Sequence, residues 1–171
     1  TRFPRDAAKR YAAESDFAEW GDRLQIHGLD LRHTPSVEAF ARHLNGSLER
    51  LDFILNNACQ TVRRPTGFYN HLMDGEETPF AELPASEREV LASYEAMRAG
   101  TANQLTSGDD GPQSLTAIAT AVGLRDPANL SQLVLLEEDL ERSTHIFPDG
   151  QLDQDLQQVD LRNSNSWRLP L

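Results

Sequence analysis

Two short groups in this chain of 171 residues have the types and the placement to hold a ligand: Asp30-Leu31 and Asn56-Asn57-Ala58. Each group ends a short apolar run, Leu24 to Leu29 in the first case and Leu51 to Leu55 in the second. In an open α/β sheet, ligands collect beyond the carboxyl ends of the strands, where side-chain and backbone polar groups are left without a ladder partner. The chemistry on offer is hydrogen bonding by a carboxylate and by amide groups. Taken singly, Asp30 reads as a cap or turn residue, and the asparagine pair as groups that satisfy backbone where a strand stops.

The elements that must position these groups follow from hydrophobic period. Leu24-Gln25-Ile26-His27-Gly28-Leu29 alternates at first and predicts a strand. Thr34-Pro35 opens a helix, with Thr34 at the cap and Pro35 in the first turn. Val37, Phe40, Ala41, Leu44 and Leu48 then recur at steps of three and four, one helical face. Leu51-Asp52-Phe53-Ile54-Leu55 is a run bounded by charge before and by small polar residues after, which suits a strand buried on both faces. A strand–helix–strand connection this short predicts a right-handed parallel crossover. Asp30 and Asn57, 27 positions apart, would then end two adjacent parallel strands at one edge of the sheet.

Composition narrows the function classes. Net charge is -11 with a pI near 4.8, which disfavours nucleic acid, because phosphate binding needs clustered Lys and Arg. The same balance disfavours an anionic membrane surface, and no apolar run approaches the roughly 20 residues of a membrane span. One cysteine, Cys59, permits neither an intramolecular disulfide nor a cysteine-based zinc cluster and suits a reducing, cytoplasmic setting. Hydrophobic residues make up 39% of the chain, on the low side for one well-packed domain. Thr1 rather than Met opens the chain, and Arg2-Phe3 reads as the tail of an element begun earlier, so truncation or processing is expected.

Elsewhere, Pro4 and Asp6 open a first helix from Arg5 towards Trp20. Ser15-Asp16 can end it early and let Phe17 and Trp20 fold back. Ser86-x-x-Glu89 has the form of a capping box and starts a helix carrying Val90, Leu91, Tyr94 and Met97, stopped by Gly100. Gly108 to Pro112 is a loop, and Leu115, Ile118, Ala119 and Val122 form a short helix ending at Gly123. Leu133 to Leu136 fits strand or helix equally. Pro148-Asp149-Gly150 is a turn, and the polar stretch after it is extended. No internal repeat is evident.

With these residues in view, the first third of the chain resembles the short-chain dehydrogenase/reductases. Their third strand ends in Asp and a small apolar residue, as at Asp30-Leu31. Their fourth ends in Asn-Asn-Ala-Gly, matched by Asn56-Asn57-Ala58 with Cys59 in the glycine place. The resemblance implies that Asp30 and the backbone of Leu31 hold the adenine ring, and that Asn57 and the backbone of Ala58 border the adenine ribose. It places Arg2 where members preferring NADP carry an arginine for the 2′-phosphate, a group that the guanidinium fork reads well. It implies NADP or NAD as cofactor and a small carbonyl or alcohol as substrate. It also exposes what is missing: no Gly-rich phosphate loop, and no Tyr four residues before a Lys, since the single lysine, Lys9, has Arg5 in that place. No catalytic residue is therefore assigned.

The expected architecture is α/β: a partial doubly wound parallel (Rossmann-like) sheet over residues 1–60, then a largely helical and irregular insertion over 61–171. The expected function is that of a segment of an NAD(P)-dependent oxidoreductase, inactive alone. The alternative is a non-enzymatic α/β interaction module whose acidic tail and Tyr94 helix meet a protein partner. Among other groups, His27 reads as a half-exposed strand residue rather than a ligand. The carboxylates at Glu137-Glu138-Asp139 and Glu141, and those at Asp149, Asp153 and Asp155, lack calcium-loop spacing. Arg63-Arg64 beside Phe68 and Tyr69 suits either a phosphate contact or an aromatic-anchored loop. Cys59 as a nucleophile has no histidine near it in sequence.

Overall fold

A computed structural model describes residues 1–57, 64–106, 122–134, 137–140, 143–154 and 157–162. Its helices are α1 (Pro4–Ala12), α2 (Thr34–Ser47), α3 (Asn70–Glu76), α4 (Ala85–Thr106) and α5 (Pro127–Ser131), with a helical turn at 122–125 and single 3-10 turns between. The chain divides into two compact units. One comprises Thr1–Arg50 with Gly75–Ser131, the other Leu51–Asp74 with Gln132–Leu171.

In the first unit, α1 begins with Pro4, whose missing N–H would be unpaired in any case. Asp6 lies in its first turn and Lys9 and Arg10 in its last, the order that the helix dipole favours. An Asp6–Arg10 ion pair at 2.8 Å spans one turn. The helix ends at Ala12, and the Trp20 ring folds back edge-on to Phe17 at 5.2 Å and Tyr11 at 6.0 Å. The core forms along α4. Val90, Leu91, Tyr94 and Met97 fall at helical spacing and are buried with Ala8, Ile26, Leu29, Leu83 and Leu124. Tyr94 keeps its buried hydroxyl satisfied by donating to the Leu124 carbonyl at 2.6 Å. Gly28 passes directly over that ring, where a Cβ would collide with the hydroxyl and with Pro127.

The expected parallel sheet is corrected by this structure. Among the described residues there is no sheet strand, and one isolated antiparallel bridge, Leu152–Gln158, is the sole β pairing. A strand persists only if its backbone groups find a neighbour. Those of 24–30 find other partners. The Ile26 N–H donates to the Val90 carbonyl of α4 at 2.8 Å, and the Leu29 N–H to the Thr1 carbonyl at 2.7 Å. The Thr1 amino group donates to the His27 carbonyl at 3.2 Å. Over Leu51 to Leu55, Leu55 accepts one hydrogen bond, from the Asn57 N–H at 3.0 Å, and no backbone bond to another segment is formed among the described residues. Apolar content and period marked both stretches as strands, but pairing is non-local and their sequence does not supply it.

Other element ends differ as well. The cap residue of α2 is His33, not Thr34; its Nδ1 lies 2.6 Å from the Ser36 hydroxyl. α4 runs through Gly100 to Thr106, since open space surrounds Gly100 and nothing forces a stop. The turn at 122–125 continues through Gly123, which is buried where a Cβ would strike His33 and Ser36. The expected loop at 108–112 and the helix residues Leu115, Ile118 and Ala119 lie outside the described residues. Tyr94 is 2% exposed, so it belongs to the core and offers no surface to a partner.

In the second unit the Arg64 guanidinium lies over Phe68 at 4.8 Å, and Phe68 meets Phe147 edge-on at 6.3 Å. Pro148-Asp149-Gly150 forms the expected turn, closed by Gln151 N–H donating to the Pro148 carbonyl at 3.2 Å. Gly150 has φ +71°, the conformation that the third position of a type II turn reserves for glycine.

Overpacking defines the first test. Gly28→Ala should destabilise by about 1–3 kcal/mol, as extra atoms in a filled core do. Gly46→Ala, in α2 with nothing within 4 Å, should be neutral or stabilising by up to about 1 kcal/mol. Urea unfolding with equal slopes checks both.

Candidate functional site

The 24–30 segment ends in a buried acid. Asp30 is 2% exposed and its backbone carbonyl accepts from the His33 N–H at 2.9 Å, which starts the turn into α2. A carboxylate taken from water needs full hydrogen-bond replacement, and Arg32 supplies it. Oδ1 accepts from the Arg32 backbone N–H at 3.0 Å and from Nε at 2.9 Å. Oδ2 accepts from Nη2 at 2.5 Å and from Nε at 3.1 Å. Burial alone would push this carboxyl up, but the side-chain and backbone hydrogen bonds of Arg32, its charge and that of Arg2 together hold it below the usual carboxylate range. Between Asp30 and Arg32, Leu31 projects outwards at 61% exposure.

The same device occurs twice. Asp160-Leu161-Arg162 in the second unit repeats Asp30-Leu31-Arg32, with Arg162 N–H and Nε donating to Oδ1 at 3.1 and 2.9 Å and Nη2 to Oδ2 at 2.8 Å. Arg64 adds a further bond to Oδ2 at 2.8 Å. Arg64 is thus an anchor within a cluster of rings and charges. The tripeptide Asp-Leu-Arg stands twice in the sequence, a signal that a search for longer repeats passes over.

The residues assigned from the sequence are divided. Arg2, Asp30 and Leu31 lie in the first unit, with the Arg2 guanidinium 5.6 Å from the Phe3 ring centre. Asn57 lies in the second unit and is exposed, as are Leu51, Phe53, Ile54 and Leu55 at 57%, 85%, 71% and 90%. The strand edge that was to join Asp30 and Asn57 does not exist among the described residues. Ala58, Cys59, Arg63, Glu141 and Asp155 lie outside them.

His27 is half-buried against Phe40, His43 and Tyr94, with ring centres 5.0, 5.6 and 6.2 Å away. Its Nε2 is buried without a partner. Burial, then the neighbouring charges of His43 and the N-terminal amine, lower its pKa to about 4, so the ring is neutral at pH 7. His43 Nε2 reaches the Ser93 hydroxyl at 3.3 Å. Among the described residues no three metal-ligating side chains gather, and no helix is long and apolar enough to cross a membrane.

A second charged cluster had no sequence signal because its members are far apart in the chain. Glu76 accepts from the backbone N–H of Arg5 at 3.2 Å and of Asp6 at 2.9 Å, and Arg5 Nε donates to the Glu76 carbonyl at 2.9 Å. A carboxylate from the end of α3 thereby satisfies N–H groups at the start of α1. Glu95 and Arg98 of α4 complete the cluster. Arg98 bonds Glu95 at 2.6 Å, while Arg5 Nη1 and Arg98 Nε are buried without hydrogen-bond partners.

Comparison with protein-family models, with curated proteins and with solved structures gives no match for this chain.

Burial pushes the Glu76 carboxyl up to about 7, against the pull of the two N–H groups and Arg5. A carboxyl raised in the folded state favours folding below its ordinary pKa of 4.5, and that contribution is lost as pH rises towards about 7. Stability should therefore fall over this window by about 2 kcal/mol, less than full linkage because the group is only partly buried. Glu76→Gln should flatten that slope in unfolding curves taken at several pH values.

Proposed function

We propose that this chain contributes the adenosine side of a nicotinamide-cofactor site in an oxidoreductase of the short-chain type, acting on a small carbonyl or alcohol. One observation carries it: the Asp30-Leu31-Arg32 turn combines a buried, fully hydrogen-bonded acid, an outward-facing Leu31 and a second arginine, Arg2, close enough to act on the Asp30 charge. A rigid turn of this kind holds the Leu31 peptide in one orientation, as recognition of a ring edge requires. Arg2 and Arg32 give the surroundings positive charge, which suits the 2′-phosphate of NADP over the bare hydroxyl of NAD.

Hydride transfer needs groups that these residues do not include. The pyrophosphate needs a helix N-terminus behind a Gly-rich loop, and the alcohol proton needs a phenol whose pKa a nearby lysine lowers. Lys9 is the single lysine and has no such tyrosine, so the chain alone is proposed to bind without turning over substrate.

The alternative is a non-enzymatic interaction module, which the exposure of Leu51, Phe53, Ile54 and Leu55 favours. Titration with NADPH, followed by its fluorescence, separates the two. The oxidoreductase proposal expects saturable binding, weakened at least about tenfold, or about 1.4 kcal/mol, by Asp30→Ala. No binding, or binding that Asp30→Ala leaves unchanged, removes it.

A further inference from the structure

We infer that residues 52–56 are a self-association site, at which the same segment of a second copy of this chain pairs antiparallel about Ile54. Association of this kind is independent of the cofactor site proposed above. Leu51, Phe53, Ile54 and Leu55 are 57%, 85%, 71% and 90% exposed. Together they leave roughly 500 Å² of apolar surface in water, within the range of the largest patch on a monomer, which is often functional. The backbone is open as well. Residues 51–57 lie in no helix or turn, and among the described residues the backbone groups of Leu51, Phe53 and Ile54 make no hydrogen bond. The Asn57 N–H closes back on the Leu55 carbonyl at 3.0 Å, a bond of the kind common at strand ends. Before it stands a row of unpaired donors and acceptors flanked by exposed apolar side chains, the form of a template for a further strand.

The order of residues selects the occupant. Asp52-Phe53-Ile54-Leu55-Asn56 has a polar residue at each end and three large apolar residues between, so its polarity reads the same in both directions. Antiparallel pairing with a second copy sets Ile54 against Ile54, Phe53 against Leu55 twice and Asp52 against Asn56 twice. Apolar groups then meet apolar groups, and each carboxylate faces an amide able to donate to it. The parallel, in-register alternative stacks Asp52 on Asp52, and like charges directly opposite are destabilising. A twofold contact presents the same patch on both copies and closes at two. Two copies bring roughly 1,000 Å² of exposed apolar surface to the contact, the lower bound for a specific interface between proteins. The dimer should therefore be weak, with a Kd on the order of 10–100 µM.

Sedimentation equilibrium at chain concentrations of about 1–300 µM brackets that value and should show monomer passing to dimer. Ile54→Lys, which sets two cations against each other on the axis, should weaken the dimer at least about tenfold. Val122→Lys, at a residue 57% exposed in the first unit, should leave it unchanged. Both residues are exposed, so neither change should unfold the chain, and near-ultraviolet circular dichroism checks this. A second measurement reads the pairing itself, in a Cys59→Ser background that removes the sole native thiol. There Ile54→Cys should form an intermolecular disulfide on mild oxidation and Phe53→Cys should not. Residue 54 faces its own copy directly, whereas residue 53 meets its own copy only on the diagonal, about 7–8 Å away and beyond disulfide reach. A chain that stays monomeric throughout leaves the segment to a different partner and overturns the inference. So does a dimer that Ile54→Lys leaves intact or that Val122→Lys weakens equally, growth beyond two copies, or equal crosslinking at positions 53 and 54.

Discussion

A negative charge in the interior is the constraint from which the first unit is built. Asp30 is 2% exposed, and an uncompensated carboxylate there would cost several kcal/mol. Arg32, two residues on, meets that demand locally, so the backbone must turn at Leu31. The turn sends the chain into α2 through the His33 N–H bond to the Asp30 carbonyl. α2 in turn sets Phe40 and His43 against His27, and His27 against Tyr94 of the α4 core. One acid and its arginine thus decide where the 24–30 segment ends and where the next helix starts.

The second unit reaches the same solution independently. Asp160 is held by Arg162 in matching geometry and by Arg64 from far along the chain. There the arginines lie over phenylalanine rings, Arg64 over Phe68 and Arg162 over Phe147. The clip therefore joins charge to packing. In the first unit the Arg32 side chain is more exposed, 47% against 14% for Arg162.

What the sequence made legible was local. Val90, Leu91, Tyr94 and Met97 lie at helical spacing and form the core, and Pro148-Asp149-Gly150 turns as its composition demands. Phe17 and Trp20 fold back after an early stop, as Ser15-Asp16 suggested. What it did not contain was pairing. Leu24 to Leu29 and Leu51 to Leu55 have strand-like composition, but a strand is completed by a neighbour, and the 24–29 backbone bonds to α4 and Thr1 instead. Leu51 to Leu55 keeps four large apolar side chains in solvent. The reading of Asp30 as a strand-end residue did not extend to Arg32, two residues on, with which it forms an ion pair. Glu76 and Arg5, separated by 71 positions, meet only in three dimensions.

The central claim is that Asp30 remains ionised inside the fold because Arg32 completes its hydrogen bonds. Carbon-detected nuclear magnetic resonance titration of the Asp30 carboxyl measures this directly. Its midpoint should lie below the ordinary value of 3.8 and rise clearly in Arg32→Met, where burial acts without the guanidinium. A midpoint at or above the ordinary value in the unaltered chain, or one that Arg32→Met does not move, would contradict it.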